Sequence, residues 1–168
     1  MSDSDTDPPR GEPGSDGQEA QRGEGQVRLE KMYLKDSSFE SPNSPAIFRQ
    51  EWKPDIEMQV NTRSERIEGT TFEVVVTVTV TAKLEGRIAF IAEVQQAGLF
   101  VMEGLPDPVI HRAAGTFCPT TLFPYVREAV DSLVVRGGFP PLHLVPINFD
   151  AAYEEALRHA QGQGQPTH

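Results

Sequence analysis

The clearest pattern in the chain is an alternation. From Thr71 to Ala82, Phe72, Val74, Val76, Val78, Val80 and Ala82 take every second position, with Glu73, Thr77, Thr79 and Thr81 between them and Val75 as the exception. A strand turns successive side chains to opposite faces, so this spacing of β-branched residues predicts a strand half buried on a core. The short turn Glu85-Gly86-Arg87 follows. Ile88–Gln96 then alternates again, with Ile88, Phe90, Ala92, Val94 and Gln96 on one face and Ala89, Ile91, Glu93 and Gln95 on the other. Two such runs across a short turn predict an antiparallel hairpin. Asp55–Asn61 sets Ile56, Met58 and Val60 against Glu57 and Gln59 and predicts a third strand. Gln26–Leu34 predicts a fourth, whose alternation slips between Leu29 and Met32; a β-bulge is one explanation of such a slip.

After Gly104 the period changes. Pro106–Gly115 predicts a short helix with Asp107 as its cap and Pro108 as its first residue. Leu122, Val126, Ala129, Val130 and Leu133 recur at helical spacing, with Pro124 in the first turn and Gly137 as the stop. A last helix starts at Asp150, its expected cap, and lines up Tyr153, Ala156, Leu157 and Ala160. Strands first and helices after predict an α+β fold: a four-stranded antiparallel sheet followed by helices packed on one side.

Two stretches have no period yet are rich in apolar residues. Asp36–Pro54 carries Phe39, Ile47, Phe48 and Trp52 among three prolines. Gly138–Phe149 carries Phe139, Leu142, Leu144, Val145, Ile147 and Phe149 among three more. Loops run over the surface and are usually polar, and long ones in compact domains are often functional. Either these two are irregular covers of the core, or they line an apolar groove. Such a groove accepts extended apolar chain by area burial and stacking, without a fixed hydrogen-bond code.

Composition adds a boundary. Residues 1–25 hold only Met1 and Ala20 as apolar residues, and seven of the 25 acidic residues against Arg10 and Arg22. That segment carries -5 of the net charge of -10. It has too little apolar surface to offset about 1–2 kcal/mol per residue of ordering entropy. It is expected to be a disordered acidic tail, followed by one domain over 26–160 and a second disordered tail over 161–168. The acidic balance argues against binding nucleic acid through its phosphates. No apolar run is long enough to span a bilayer and no signal peptide opens the chain, so no direct membrane insertion is expected and the default location is cytoplasmic.

Chemistry is sparse. The phosphate-loop, dinucleotide, zinc-protease and nucleophile-elbow motifs are absent. Cys118 is a single thiol, next to Pro119, with no recognisable activating context, and a structural role is the expected one. His111, His143, His159 and His168 lack ligand spacing. No enzyme activity, metal or cofactor is expected.

Several segments are unusual together: KDSSFESPNSP with EWKPD, EVQQAGLF, CPTTLFPYVREAVDSLVVRGGFPPL and VPINFDA. In this order and spacing they resemble the SecB protein-export chaperones over about 26–160. The resemblance implies a cytoplasmic homotetramer, a dimer of dimers, that keeps unfolded precursors translocation-competent and delivers them to the SecA translocation ATPase, hydrolysing nothing itself. Carried over by residue, it places SecA binding on Asp36, Glu40, Ile91 and Glu93. It places client binding on Phe39, Phe48, Trp52, Phe139 and Phe149. It places the contact between dimers on Phe90, Ala92, Val94 and Gln96. Relatives often extend a C-terminal tail that makes a second contact with SecA, whereas QGQGQPTH is short and uncharged apart from any protonated His168. Two other readings stay open: a chaperone of the same fold guarding one antitoxin, and a carrier for an apolar small ligand.

Overall fold

Glu85 and Gly86, with φ of 49° and 79°, make a two-residue turn between residues 84 and 87. Positive φ at both positions gives a turn whose twist matches that of the strands it joins. The computed structural model describes residues 24–162; the expected tails over 1–25 and 161–168 lie outside that range, apart from residues 24–25 and 161–162. The central hairpin is β3 (Thr71–Leu84) and β4 (Arg87–Glu103). It is flanked by β1 (Gln26–Glu40) on β4 and β2 (Asp55–Glu68) on β3, giving the order β1-β4-β3-β2 with every neighbour antiparallel.

The strands are longer than the alternation predicts, for two reasons. Strand β2 continues through Thr62–Glu68, polar apart from Ile67, because it is an edge strand and most of its side chains stay exposed. Strand β1 continues past Leu34 to Glu40, so the irregular crossover starts only at Ser41. Its alternation is broken twice, by register shifts at Leu29/Lys31 and Leu34/Asp36. The slip legible between Leu29 and Met32 is the first of these bulges. The second hides the remainder of the strand.

Helices α1 (Asp107–Gly115), α2 (Phe117–Arg136) and α3 (Phe149–Gly162) follow. Val74, Val76, Val78, Val80, Phe90 and Val94 of the sheet bury against Leu122, Val126, Val130 and Val134 of α2. Gly98 is required there, because a Cβ would stand 2.7 Å from the Phe100 ring and 3.1 Å from Leu122.

Three helix ends differ from expectation. Helix α2 starts at Phe117, so Pro119 sits in its first turn and Pro124 in its interior. Asp107 is inside α1 and makes no capping bond with its side chain. In α3 the cap is Asn148, whose Oδ1 accepts from the Ala151 amide at 3.0 Å, and not Asp150. The α2 stop holds with an added detail. The Gly138 amide donates to Val135 O at 3.0 Å and the Phe139 amide to Val134 O at 3.2 Å. Gly138 supplies the positive φ, 89°. This is a Schellman ending, and it folds the residue after the glycine back onto the last turn of the helix.

Candidate functional site

That ending decides the fate of Phe139. It is turned into the core, 5% exposed. Around it gather Phe48, Trp52 and Phe90, with ring centroids 5.0, 5.5 and 5.1 Å away, and Phe39 at 6.3 Å. Phe90 also stacks with Phe39 at 5.7 Å and with Trp52 at 6.3 Å. Each ring comes from a different place: Phe39 from the end of β1, Phe48 from the 3-10 turn at 46–49, Trp52 from the crossover, Phe90 from β4 and Phe139 from the α2 exit. The Phe39 ring occupies the space of a Cβ at Gly137, so that glycine is required for the ring to dock on the end of α2.

The cluster is graded. Phe90 and Phe139 form a sealed floor, Phe39 and Trp52 are half buried, and Phe48 is 47% exposed. Four of the five predicted client residues therefore come together. Phe139 is among them as a support and not as a contact surface, because its ring is already enclosed. Phe149 lies apart from the other four: it packs edge-on against Phe123 at 5.8 Å, buried at the start of α3, where it lines the cleft beside that helix. Sequence reasoning missed Phe90 as the centre of this cluster.

Between the two places runs 140–148. The Leu142 amide donates to Asp131 Oδ1 at 2.8 Å, which ties this stretch to α2. Leu144 is buried, and Val145 faces outward. The stretch leads to a cleft of about 520 Å³, lined by Val60, Ile147, Phe149, Tyr153, Ala156 and Leu157 among others. Helix α3 is held beside it through α1, by Arg112 to Glu154 at 2.6 Å and by His111 Nδ1 with the Tyr153 hydroxyl at 2.6 Å. The two irregular stretches thus serve both expected roles at once: part of each seals the core and part stays open.

Among the described residues, no helix covers the opposite face of the sheet. Glu40 pairs with Ile91, Ser38 with Glu93 and Asp36 with Gln95. Across β3, Ile91 meets Thr81 and Glu93 meets Thr79. Side chains at paired positions share a face, so Asp36, Glu40, Ile91 and Glu93 form one patch. Glu57 and Asp55 extend it across β2, with Lys83, 3.4 Å from Glu57, as the countercharge in these rows. The Thr79 hydroxyl donates to Glu93 at 3.0 Å and fixes that carboxylate.

At the other end of this face lies a charge the alternation does not explain. Glu73 is 7% exposed. Lys35 donates to both of its oxygens, at 2.7 and 2.9 Å, and the Tyr33 hydroxyl donates to Oε1. These bonds, that from Lys35 first, hold the Glu73 carboxyl below the usual carboxylate range against the opposing effect of burial. Burial first, and the Glu73 carboxylate next, push the Tyr33 hydroxyl up to about 12.

The residues expected between dimers lie on the helix side of the sheet. Phe90, Ala92 and Val94 are 0% exposed within a single chain and Gln96 is buried. Phe90, Ala92 and Val94 lie on the sheet face under α2 and are covered within one chain, whereas Gln96 lines the depression beside Leu34 and Tyr125. Exposed apolar side chains elsewhere include Phe117, Tyr125 and Val135 on the outer side of α2 and Leu34 on β1. Leu34 and Tyr125 rim a shallow depression floored by Leu29, Met32 and Ala129.

Cys118 is fully buried, and burial pushes its thiol up to about 12, so it carries little thiolate at neutral pH. Among the described residues no group of three or more His, Cys, Asp or Glu is placed to hold a metal ion, and no helix is long and apolar enough to cross a membrane.

Comparison with known proteins agrees with this picture. The family model described as preprotein translocase subunit SecB matches residues 18–160. A protein-export protein SecB from Pseudomonas savastanoi is 51% identical over 140 residues, covering 83% of this chain and 86% of the relative. Its counterpart from Hahella chejuensis is 52% identical over 135 residues, covering 80% and 85%. Among solved structures, a SecB-like chaperone of Mycobacterium tuberculosis, in complex with an antitoxin peptide, superposes with a TM-score of 0.61 at 18% identity over 72% of this chain and 90% of that one. The sheet-then-helix order, the open aromatic surface and half-identity over most of the domain lead to one conclusion: this chain belongs to the SecB family of protein-export chaperones.

Proposed function

We propose that the protein is an ATP-independent cytoplasmic chaperone that binds unfolded secretory precursors and delivers them to the SecA translocation ATPase. The observation that carries this reading is the graded aromatic cluster. Phe48 and Trp52 stand partly open on a fixed floor of Phe90 and Phe139. A non-native chain exposes apolar segments that a folded one has buried. A surface that binds only such segments holds the unfolded state by mass action, with no nucleotide. Clients run from this cluster along 140–147 towards the cleft beside α3.

Phe48 gives the cleanest test. Its ring is half exposed, so truncation disturbs the fold little, yet it removes contact area worth about 1–2 kcal/mol to a client. Phe48→Ala is expected to weaken capture of an unfolded precursor by about ten-fold. Trp52→Ala should weaken it as well, with some added loss of stability. Unchanged client affinity in both would remove this cluster from the site.

The assembly is a homotetramer, a dimer of dimers. The exposed apolar stripe on α2, with Leu34, supplies its contact, since large apolar patches are costly to leave wet. Tyr125→Glu is expected to reduce the solution mass to dimer or monomer with circular dichroism unchanged. A tetramer of native mass would place the contact elsewhere. Two rival roles are separated by what co-purifies: one small client marks a dedicated antitoxin chaperone, a lipid-like molecule marks a carrier, and many precursors mark export.

A further inference from the structure

The acidic patch exists only because β1 changes register. The β1 residues paired with helix-side positions of β4 run Val27, Leu29, then Met32, Leu34, then Ser37, Phe39. Their numbers go from odd to even to odd, and the switches are made by Glu30 and Lys35, the residues the two bulges insert. Without the second bulge, Lys35 would oppose Gln95 and Asp36 would oppose Val94. A one-residue slip sends every later side chain to the other face. Asp36, Ser38 and Glu40 would then point under α2, and Phe39 would point away from its aromatic partners.

An inserted residue interrupts the ladder and needs support from elsewhere. The support is Glu73. Its carboxylate is held by Lys35, the inserted residue itself, and by Tyr33 two positions earlier. The bonds reach from β1 across β4 to β3, bracketing Leu34. Glu73 also stands opposite Glu65 on β2, while Arg63 of the same strand adds a favourable positive charge. A nearly buried carboxylate is tolerated only when paired, and neither client capture nor the acidic patch uses this one directly. We propose that Glu73, Lys35 and Tyr33 are positioning residues that lock the second β1 bulge in the register presenting Asp36 and Glu40 beside Glu93 to SecA. This rests on the docking reading above.

Lys35→Met separates positioning from charge. Removing a cation beside an acidic patch should, by charge alone, strengthen binding to a partner drawn to negative charge. Loss of register should weaken it, because the measured Kd scales inversely with the competent fraction. With the full-length protein, Lys35→Met is expected to raise the Kd for SecA about ten-fold, corresponding to roughly a tenth of molecules in register. Amide exchange should quicken most over residues 35–40, and affinity for an unfolded precursor should fall clearly less than that for SecA, because Phe39 leaves the aromatic cluster while Phe48 and Trp52 keep their floor of Phe90 and Phe139. Tyr33→Phe should act in the same direction with a smaller effect. Lys35→Arg, which keeps the paired bonds to the carboxylate, should stay within about two-fold. An unchanged or tighter Kd for Lys35→Met, with Glu93→Lys impaired in parallel, overturns the proposal and leaves the docking face standing. Equal loss of SecA and precursor binding overturns it too, as general destabilisation. If Glu93→Lys is itself without effect, the docking reading falls and the proposal falls with it.

Discussion

Phe90→Ala is expected to destabilise the chain by about 3–5 kcal/mol, the range for truncating a buried aromatic. Small domains hold only about 5–15 kcal/mol in total, so this is a large share. The ring is fully enclosed and touches Phe39, Trp52 and Phe139, which come from three separate segments. Those segments cannot all collapse into one cavity, because each is fixed elsewhere: Phe39 on Gly137, the crossover that carries Trp52 by buried Ile47 and by Asn43 donating to Ile88 O, and Phe139 in the helix ending. Chemical denaturation at fixed protein concentration should give a lower midpoint, and thermal unfolding should fall by roughly 10 °C. Capture of unfolded precursors should weaken with it, since Phe48 and Trp52 lose their floor. A contact between dimers predicts a different result: a smaller assembly of equally stable chains. That outcome would overturn the burial described above.

The second large effect is expected from reversing charge on the open face of the sheet. Glu40→Lys with Glu93→Lys should slow association with SecA by about ten- to a hundred-fold at low salt, because complementary charge acts mainly on encounter. The deficit should shrink as salt rises, since exposed charges are screened over about 8–10 Å near physiological ionic strength. Neither side chain touches the aromatic cluster, which lies on the opposite face, so capture of an unfolded precursor should be unchanged. Asp36 and Asp55 remain to attract a cationic partner, so residual binding is expected. Equal loss of both activities would mean that the two surfaces are not separate.

The sheet was legible because alternation needs no partner to be read. Val74 to Ala82 and Ile88 to Gln96 carry their parity in the chain itself. Bulges were half legible: the slip at Leu29 leaves two misplaced apolar residues, whereas the one at Lys35 sits among Lys, Asp and Ser, where no apolar residue marks the change. The aromatic site was legible as a composition anomaly. Its geometry was not, because no local rule says that residue 139 will be folded inward by a helix ending or that Phe149 will pack on Phe123. The contact between dimers, placed by the resemblance, was not legible in the pattern for a related reason. Parity groups Phe90, Ala92 and Val94 together but does not say which of the two sheet faces a helix will cover.

The order of elements, the sorting of each strand into two faces and the helix spacing were settled by local covalent and steric rules acting over a few residues. Which face is sealed, which aromatics stay open and which carboxylates share a surface were settled only when distant segments met. Burial and ion pairing depend on what lies across the gap, and Glu73 with Lys35, thirty-eight residues apart, has no meaning until the sheet brings them together.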